Sequence, residues 1–236
     1  MRPSPTILYE DNHLLALAKP AGWIVQGASE DADSLLAWAR DDLKRRYAKP
    51  GNVYLGVVHR IDGPVTGVVL FAKTSKAAAR LSAQFRDRTV TKTYLAIVAG
   101  RVDPPAGTWT DEMTEHDGRP AIVPRRRSAG GGRPAEGVRP GPASSRAAVL
   151  HYRAVKSSAR HTLLEIEPVT GRKHQIRLQA AAHGHPILGD IKYGGEPGRP
   201  GSIALHARRL TIAHPVREER LTIAADVPAT WALRDE

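Results

Sequence analysis

Cysteine is absent from the 236 residues, which excludes disulfides, thiol nucleophiles and zinc sites built on thiolates. No apolar run approaches the length of a membrane span. Met1 to Pro5 pass directly into a strand-like stretch with no apolar leader core, so a cytoplasmic protein is expected. Acidic side chains are scarce: 24 Asp and Glu stand against 35 Lys and Arg, a formal charge of +11. That imbalance suits a polyanionic partner, although an Arg-rich coding bias would leave the same mark. Charge alone does not choose among RNA, DNA and acidic membrane. Compact metal motifs are missing too. His174, His183 and His185 form no HExxH-like pair with a Glu base, so no metal site is expected. Gly130 to Gly132 precede no capped helix and lack a following Lys-Ser or Lys-Thr, which excludes a phosphate-cradling loop.

What is present is an ordinary core, with 41% hydrophobic residues, in a chain long enough for one large domain. Ile7–Tyr9 and Leu14–Ala18 read as a hairpin joined by polar turn formers, and Pro20 and Gly22 stop its second strand. Asp33 or Ser34 caps a helix with Leu36, Ala39, Leu43 and Tyr47 at helical spacing, ending near Pro50. Val68–Ala72 is a continuous apolar strand. Thr74 or Ser75 then caps a helix whose inner face is Ala78, Leu81 and Phe85. Thr91–Ala99 is the next strand, and a long, irregular stretch is expected after it. Within that stretch, residues 124–146 are rich in Pro, Gly, Arg and Ser. They predict a flexible basic loop, which reads equally well as an RNA-touching arm and as an expendable insertion. Ala147–Val155 and His161–Val169 read as a strand pair. A helix is expected over Lys173–His183 with Gly184 as its C-terminal cap. Segments at Ile203–His206, Arg209–Ala213 and Leu221–Ala225 are strand-like. Hairpins outnumber βαβ alternation, so the expected class is α+β with a mixed, mostly antiparallel sheet.

Three segments carry chemistry. His59-Arg60-Ile61-Asp62-Gly63-Pro64-Val65-Thr66-Gly67 lies at a turn-to-strand junction, where Gly and Pro expose and fix a carboxylate. On spacing alone, an ion pair between Arg60 and Asp62 is the simpler reading. Lys92-Thr93-Tyr94 sits in a strand, where a Tyr is ordinarily core. Thr170-Gly171-Arg172-Lys173-His174-Gln175-Ile176-Arg177 precedes Gly184-His185-Pro186-Ile187-Leu188-Gly189-Asp190 and Tyr193-Gly194. At helical spacing His174 and Arg177 share a face, from which the arginine can reach Asp62.

Together these segments resemble RluA-type RNA pseudouridine synthases, whose motifs read HRLD-x-x-[TS]-[ST]-G, K-x-Y, TGR-x-HQIR and GHPI-x-GD-x-x-YG. The likeness runs from about Ile7 to about Pro228 and is weakest over residues 101–146. The chain departs from the pattern in having Ile61 for Leu and Gly63-Pro64-Val65 in the following turn. The resemblance implies a pseudouridine synthase fold over residues 1–236 as a single catalytic domain, with the active-site cleft on the sheet and no preceding S4-like module. It implies Asp62 as the catalytic residue, Tyr94 against the target base, and Arg177 paired with Asp62. Arg60 would help displace the base. His59, Lys92, Arg172, Lys173 and His174 are the further expected RNA contacts. The implied reaction isomerises uridine in ribosomal or transfer RNA without a cofactor, in a monomer. An RNA-binding or chaperoning module with relic catalytic residues is the principal alternative, and a metal-dependent nucleic-acid hydrolase is the third.

Overall fold

A computed structural model of the protein describes residues 3–27, 34–123, 145–229 and 231. The basic stretch expected to form a flexible loop falls almost wholly outside these residues. Eleven strands form one sheet: β1 (Thr6–Glu10), β2 (Leu14–Lys19), β3 (Gly56–Val57), β4 (Thr66–Ala72), β5 (Thr91–Ala99), β6 (Ala106–His116), β7 (Arg119–Ile122), β8 (Arg146–Ser157), β9 (His161–Pro168), β10 (Leu205–Ala213) and β11 (Arg220–Ala224). Their order is β1-β2-β4-β10-β5-β9-β8-β6-β7, with β3 on β4 and β11 on β10. The β4/β10 pair is parallel and every other pairing is antiparallel. This is the expected α+β class.

The apolar runs of β2 and β4 follow from burial on both faces. Leu15, Leu17, Val69 and Phe71 point into one cluster, with the α1 (Leu35–Arg46) residues Leu36, Ala39 and Leu43 and the α3 (Gln175–Ala182) residues Ile176 and Ala180. Leu14, Ala16, Val68, Leu70 and Ala72 point the other way, against Ala77 and Leu81 of α2 (Ser75–Arg86). Each such Val, Leu, Ile or Phe side chain contributes about 1.5–3 kcal/mol of burial. Ser34 and Thr74, rather than Asp33 and Ser75, are the caps: their hydroxyls accept from Ala37 N and Ala77 N, each at 3.2 Å.

Three expectations are corrected. The stretch after Gly100 contains the long hairpin β6–β7. The strand-like segments at 203–206 and 209–213 are one strand, β10, kinked by a register shift between Ala207 and Arg209. Finally, α3 begins at Gln175, because His174 takes a left-handed conformation with φ 54°. Gly184 does close α3, with φ 82° and its N–H donating to Ala181 O at 3.1 Å. Among the described residues, no helix is long and apolar enough to cross a membrane.

Candidate active site

Asp62 stands in the turn between β3 and β4, and its neighbours explain why it faces outward. Ile61 and Val65 are both buried in the core, so they clamp the turn from either side of the carboxylate. The turn is closed by Val65 N donating to Asp62 O at 3.1 Å. Below it lies Lys19, at the end of β2 and only 1% exposed. Its ammonium donates to the carbonyls of Pro20, Trp23 and Gly63 at 3.1, 2.7 and 2.9 Å. Gly22 N donates to the Gly63 carbonyl as well. Burial pushes the Lys19 ammonium down to about 7, while the charge of Asp62 pulls the other way. Three carbonyls match the three donors of a lysine, which is what a buried cation needs. Gly67 follows with φ 117°, and a Cβ there would collide with the backbone of Ala207. Only glycine lets β4 run this close to β10.

Arg177 comes from α3, on the same side of the sheet. Its Nη1 donates to Asp62 Oδ2 at 3.0 Å, while Nε and Nη2 grip Asp190 Oδ2 and Oδ1 at 2.7 and 2.8 Å. Asp190, almost wholly buried, thus fixes the guanidinium by a two-pronged pair and leaves one edge for Asp62. Burial opposes the charge on Arg177, but Asp190 and then Asp62 outweigh it and raise its pKa above the ordinary arginine value. The Tyr193 ring lies under the same guanidinium, 4.9 Å from ring centre to Cζ. His174 completes the group, with Nδ1 2.6 Å from Tyr193 Oη and Nε2 3.6 Å from Asp62 Oδ2. Its pKa is lowered chiefly by burial, against the pull of Asp62. Asp62 Oδ1 accepts no hydrogen bond from a described residue, and the Asp62 side chain remains 27% exposed.

Tyr94 projects from β5 into the same region. Burial, and next the charge of Asp62, push its phenol up to about 12. At neutral pH its phenol therefore stays protonated. Lys92 lies two residues earlier on that face, in a cleft also lined by His59, Val68, Arg209 and Leu210.

The structure therefore brings Asp62, Tyr94, His174 and Arg177 together, with Lys92 adjoining. Arg60 is exposed and pairs with no described acid; the ion pair that spacing suggested between it and Asp62 is made by Arg177 instead. His59 does not face outward as an RNA contact would. Its Nε2 accepts from Leu70 N at 2.9 Å, its ring stacks on Phe85, and burial drives its pKa down to about 4. Lys173 is turned to the β6–β7 hairpin, donating to Gly118 O at 2.6 Å. The histidines that could have suggested a metal go separate ways: His174 to Tyr193, His183 to Asp111 and His185 to Ala99 O.

The family model described as RNA pseudouridylate synthase matches residues 13–182. The chain belongs to this family. An uncharacterised RNA pseudouridine synthase of Bacillus subtilis is 33% identical over 226 residues, covering 94% of this chain and 68% of that protein. The ribosomal large subunit pseudouridine synthase C of Vibrio cholerae is 34% identical over 94% of this chain and 66% of its own length. The tRNA pseudouridine synthase C of Pasteurella multocida is 31% identical over 95% of this chain and 92% of its own. This synthase-family chain thus spans about two thirds of some of its relatives and nearly all of others. Among solved structures, human RNA pseudouridylate synthase domain containing 4 superposes with a TM-score of 0.75 at 26% identity, covering 95% of this chain and 89% of that one.

Sequence reasoning overlooked Lys19 and the structural weight of Asp190 and Tyr193. The signal for Lys19 was available: a lone charge ending the apolar run Leu14-Leu15-Ala16-Leu17-Ala18, directly before Pro20. Asp190 and Tyr193 sat inside a recognised segment without an assigned role.

Proposed function

We propose that this chain isomerises uridines in ribosomal or transfer RNA to pseudouridine, with Asp62 as the group that attacks or deprotonates the target nucleotide. The observation that carries the reading is the division of labour within one carboxylate. Oδ2 is held by Arg177, Oδ1 has no described partner, and the side chain as a whole is 27% exposed. A nucleophile needs that combination of fixed aim and an available lone pair.

In the reaction, the C1'–N1 bond breaks, the uracil turns, and C5 bonds to C1', while the proton on C5 is exchanged for one on N1. Oxidation level is unchanged and no group leaves the RNA, so the reaction calls for no redox or group-carrying cofactor. Asp62 acts either by bonding covalently to the nucleotide or by taking a sugar proton. Arg177, itself fixed by the fork to Asp190, holds its Oδ2 and aims it. Uracil must leave its stack to reach Asp62. Tyr94 then stacks on the base, and the exposed Arg60 fills the space left behind. The names of the relatives support ribosomal and transfer RNA as substrate classes. The proposed working form is a monomer.

The test is pseudouridine mapping of total RNA from cells lacking the gene, complemented with wild type or with Asp62→Ala. Sites that vanish and return only with wild type support the reading and name the substrate. Full restoration by Asp62→Ala would move the non-catalytic RNA-binding reading to first place.

A further inference from the structure

Beside Tyr94, cations gather from four elements with little to neutralise them. Lys92 stands two residues before Tyr94 on the same face of β5, a separation of about 7 Å along the strand. The Thr170–Arg172 loop lies against it: a Cβ on Gly171 would be 3.8 Å from Lys92 Nζ. That loop is rigid. Gln175 Oε1 accepts from Thr170 Oγ1 at 2.8 Å and from Arg172 N at 3.0 Å, while Arg172 Nε donates to Ala147 O at 3.2 Å. Arg172 is thereby held beside Arg146, the first residue of β8. Arg88 approaches from the end of α2 in a left-handed conformation, φ 58°. Glycine is the residue that fits such a position without strain, and an arginine there is strained.

None of these four cations forms an ion pair with a described acid, and they act on one another. Burial and then Arg88 lower the pKa of Lys92; burial, Arg146 and Arg88 lower that of Arg172, with Glu112 alone opposing among the effects on it. Other cations of this protein do find acids, as Arg46 with Asp42 and Glu10, and Arg153 with Glu165. A fixed cluster of mutually repelling donors, one of them strained, is stable only at a cost that an anion would relieve.

We propose that Arg88, Lys92, Arg146 and Arg172 form a subsite for a backbone phosphate of the RNA, that of a nucleotide adjoining the one presented to Asp62. The inference rests on the synthase reading for its substrate and adds where the strand is gripped. Lys92 and Arg172 make the grip, because the strand and the Gln175 bonds hold them in place. Arg88 and Arg146 supply the surrounding field. A phosphate there sets the register of the strand, so the base beside it falls against Tyr94.

The experiment measures binding of fluorescently labelled, unfractionated tRNA between 50 and 200 mM salt, so it does not depend on catalysis. Lys92→Gln and Arg172→Gln should each weaken binding about 5-fold to 10-fold at 100 mM salt and lower the slope of log K against log salt by about 0.7–0.9. Lys44→Gln, at the exposed end of α1, should change neither by as much as 2-fold. Should Lys92→Gln fail to fold, Arg88→Gly, which removes the cation and relieves the strained backbone, gives the same readout. Unmoved slopes in the cluster variants, or an equal loss in Lys44→Gln, would overturn the subsite. Pseudouridine yield is read in parallel on wild type. Binding with the expected slopes but no pseudouridine in either transfer or ribosomal RNA from cells lacking the gene refutes the synthase reading alone, and pseudouridine with unmoved slopes refutes the subsite alone.

Discussion

Asp11 and Asp62 are both carboxylates in turns beside the same sheet, and they are satisfied very differently. Asp11 takes backbone bonds from His13 and Leu14 at 2.7 and 2.8 Å, the Tyr9 hydroxyl at 3.0 Å, and His214 and Arg217 at 2.8 Å each. Burial works against its charge, but these bonds overcome that and hold its pKa down to about 2. It ties the β1–β2 hairpin to the turn between β10 and β11 and has no lone pair to spare. Asp62 accepts a single strong bond and keeps its other oxygen open. A saturated carboxylate stabilises, whereas an undersatisfied one costs stability and is available to react.

The largest expected effect comes from Arg177, which serves both purposes. Arg177→Met leaves Asp190 buried without its partner, which should cost about 3–5 kcal/mol in urea unfolding and bring pseudouridine formation down with it. Arg177→Lys should fold better yet remain inactive, because an ammonium cannot reproduce the fork. A fully active Arg177→Lys would break the link between the fork and the aim of Asp62.

Next comes Asp11 itself. Asp11→Ala should lose about 2–3 kcal/mol at pH 7 while keeping its activity per folded molecule. Because its folded pKa lies below the unfolded value, the stabilisation is complete above about pH 4 and disappears as pH falls through about 2. Urea unfolding of wild type and variant across pH 2–7 should therefore converge at the acid end.

Tyr94→Phe keeps the ring but removes a phenol that burial holds protonated. A single-turnover rate about 10²-fold lower is expected if the hydroxyl passes a proton, with stability little changed. A rate within 3-fold of wild type would reduce Tyr94 to a stacking surface.

Smallest is the contribution of His59. Its folded pKa of about 4 lies below that of a free histidine, so the unfolded chain binds the extra proton first as pH falls. Stability is complete above about pH 6.5 and declines toward pH 4, by about 2 kcal/mol at pH 5. His59→Gln, which retains an acceptor for Leu70 N, should flatten that decline between pH 7 and 5.

The elements that were legible in the sequence are those whose apolar pattern is unmixed. β2 and β4 are apolar at nearly every position because both faces are covered, and the two caps follow a backbone rule that needs no tertiary partner. β6 escaped notice for a physical reason. Its inward positions are Trp109, Asp111 and Met113, and the middle one is a charge that becomes acceptable only through Gln179 and His183, reached from α3. Periodicity cannot anticipate a buried carboxylate whose donors lie some 70 residues away. The start of α3 was misplaced likewise, since the left-handed turn at His174 is held by Tyr193 and Asp62, from other parts of the chain. In the site, motif order placed Asp62, Tyr94 and Arg177 correctly side by side. It did not distinguish outward residues from inward ones, so the inward His59 was assigned to RNA and the buried Lys19 was passed over.

The most direct test sets the two carboxylates against each other. Asp62→Asn and Asp11→Asn are purified, their melting temperatures are compared, and each is given RNA from cells lacking the gene under single-turnover conditions. The account predicts that Asp62→Asn melts within about 2 °C of wild type and forms pseudouridine at least about 10³-fold more slowly, while Asp11→Asn melts markedly lower and, where folded, reacts at nearly the wild-type rate. An Asp62→Asn protein that modifies RNA at a rate near wild type would contradict it.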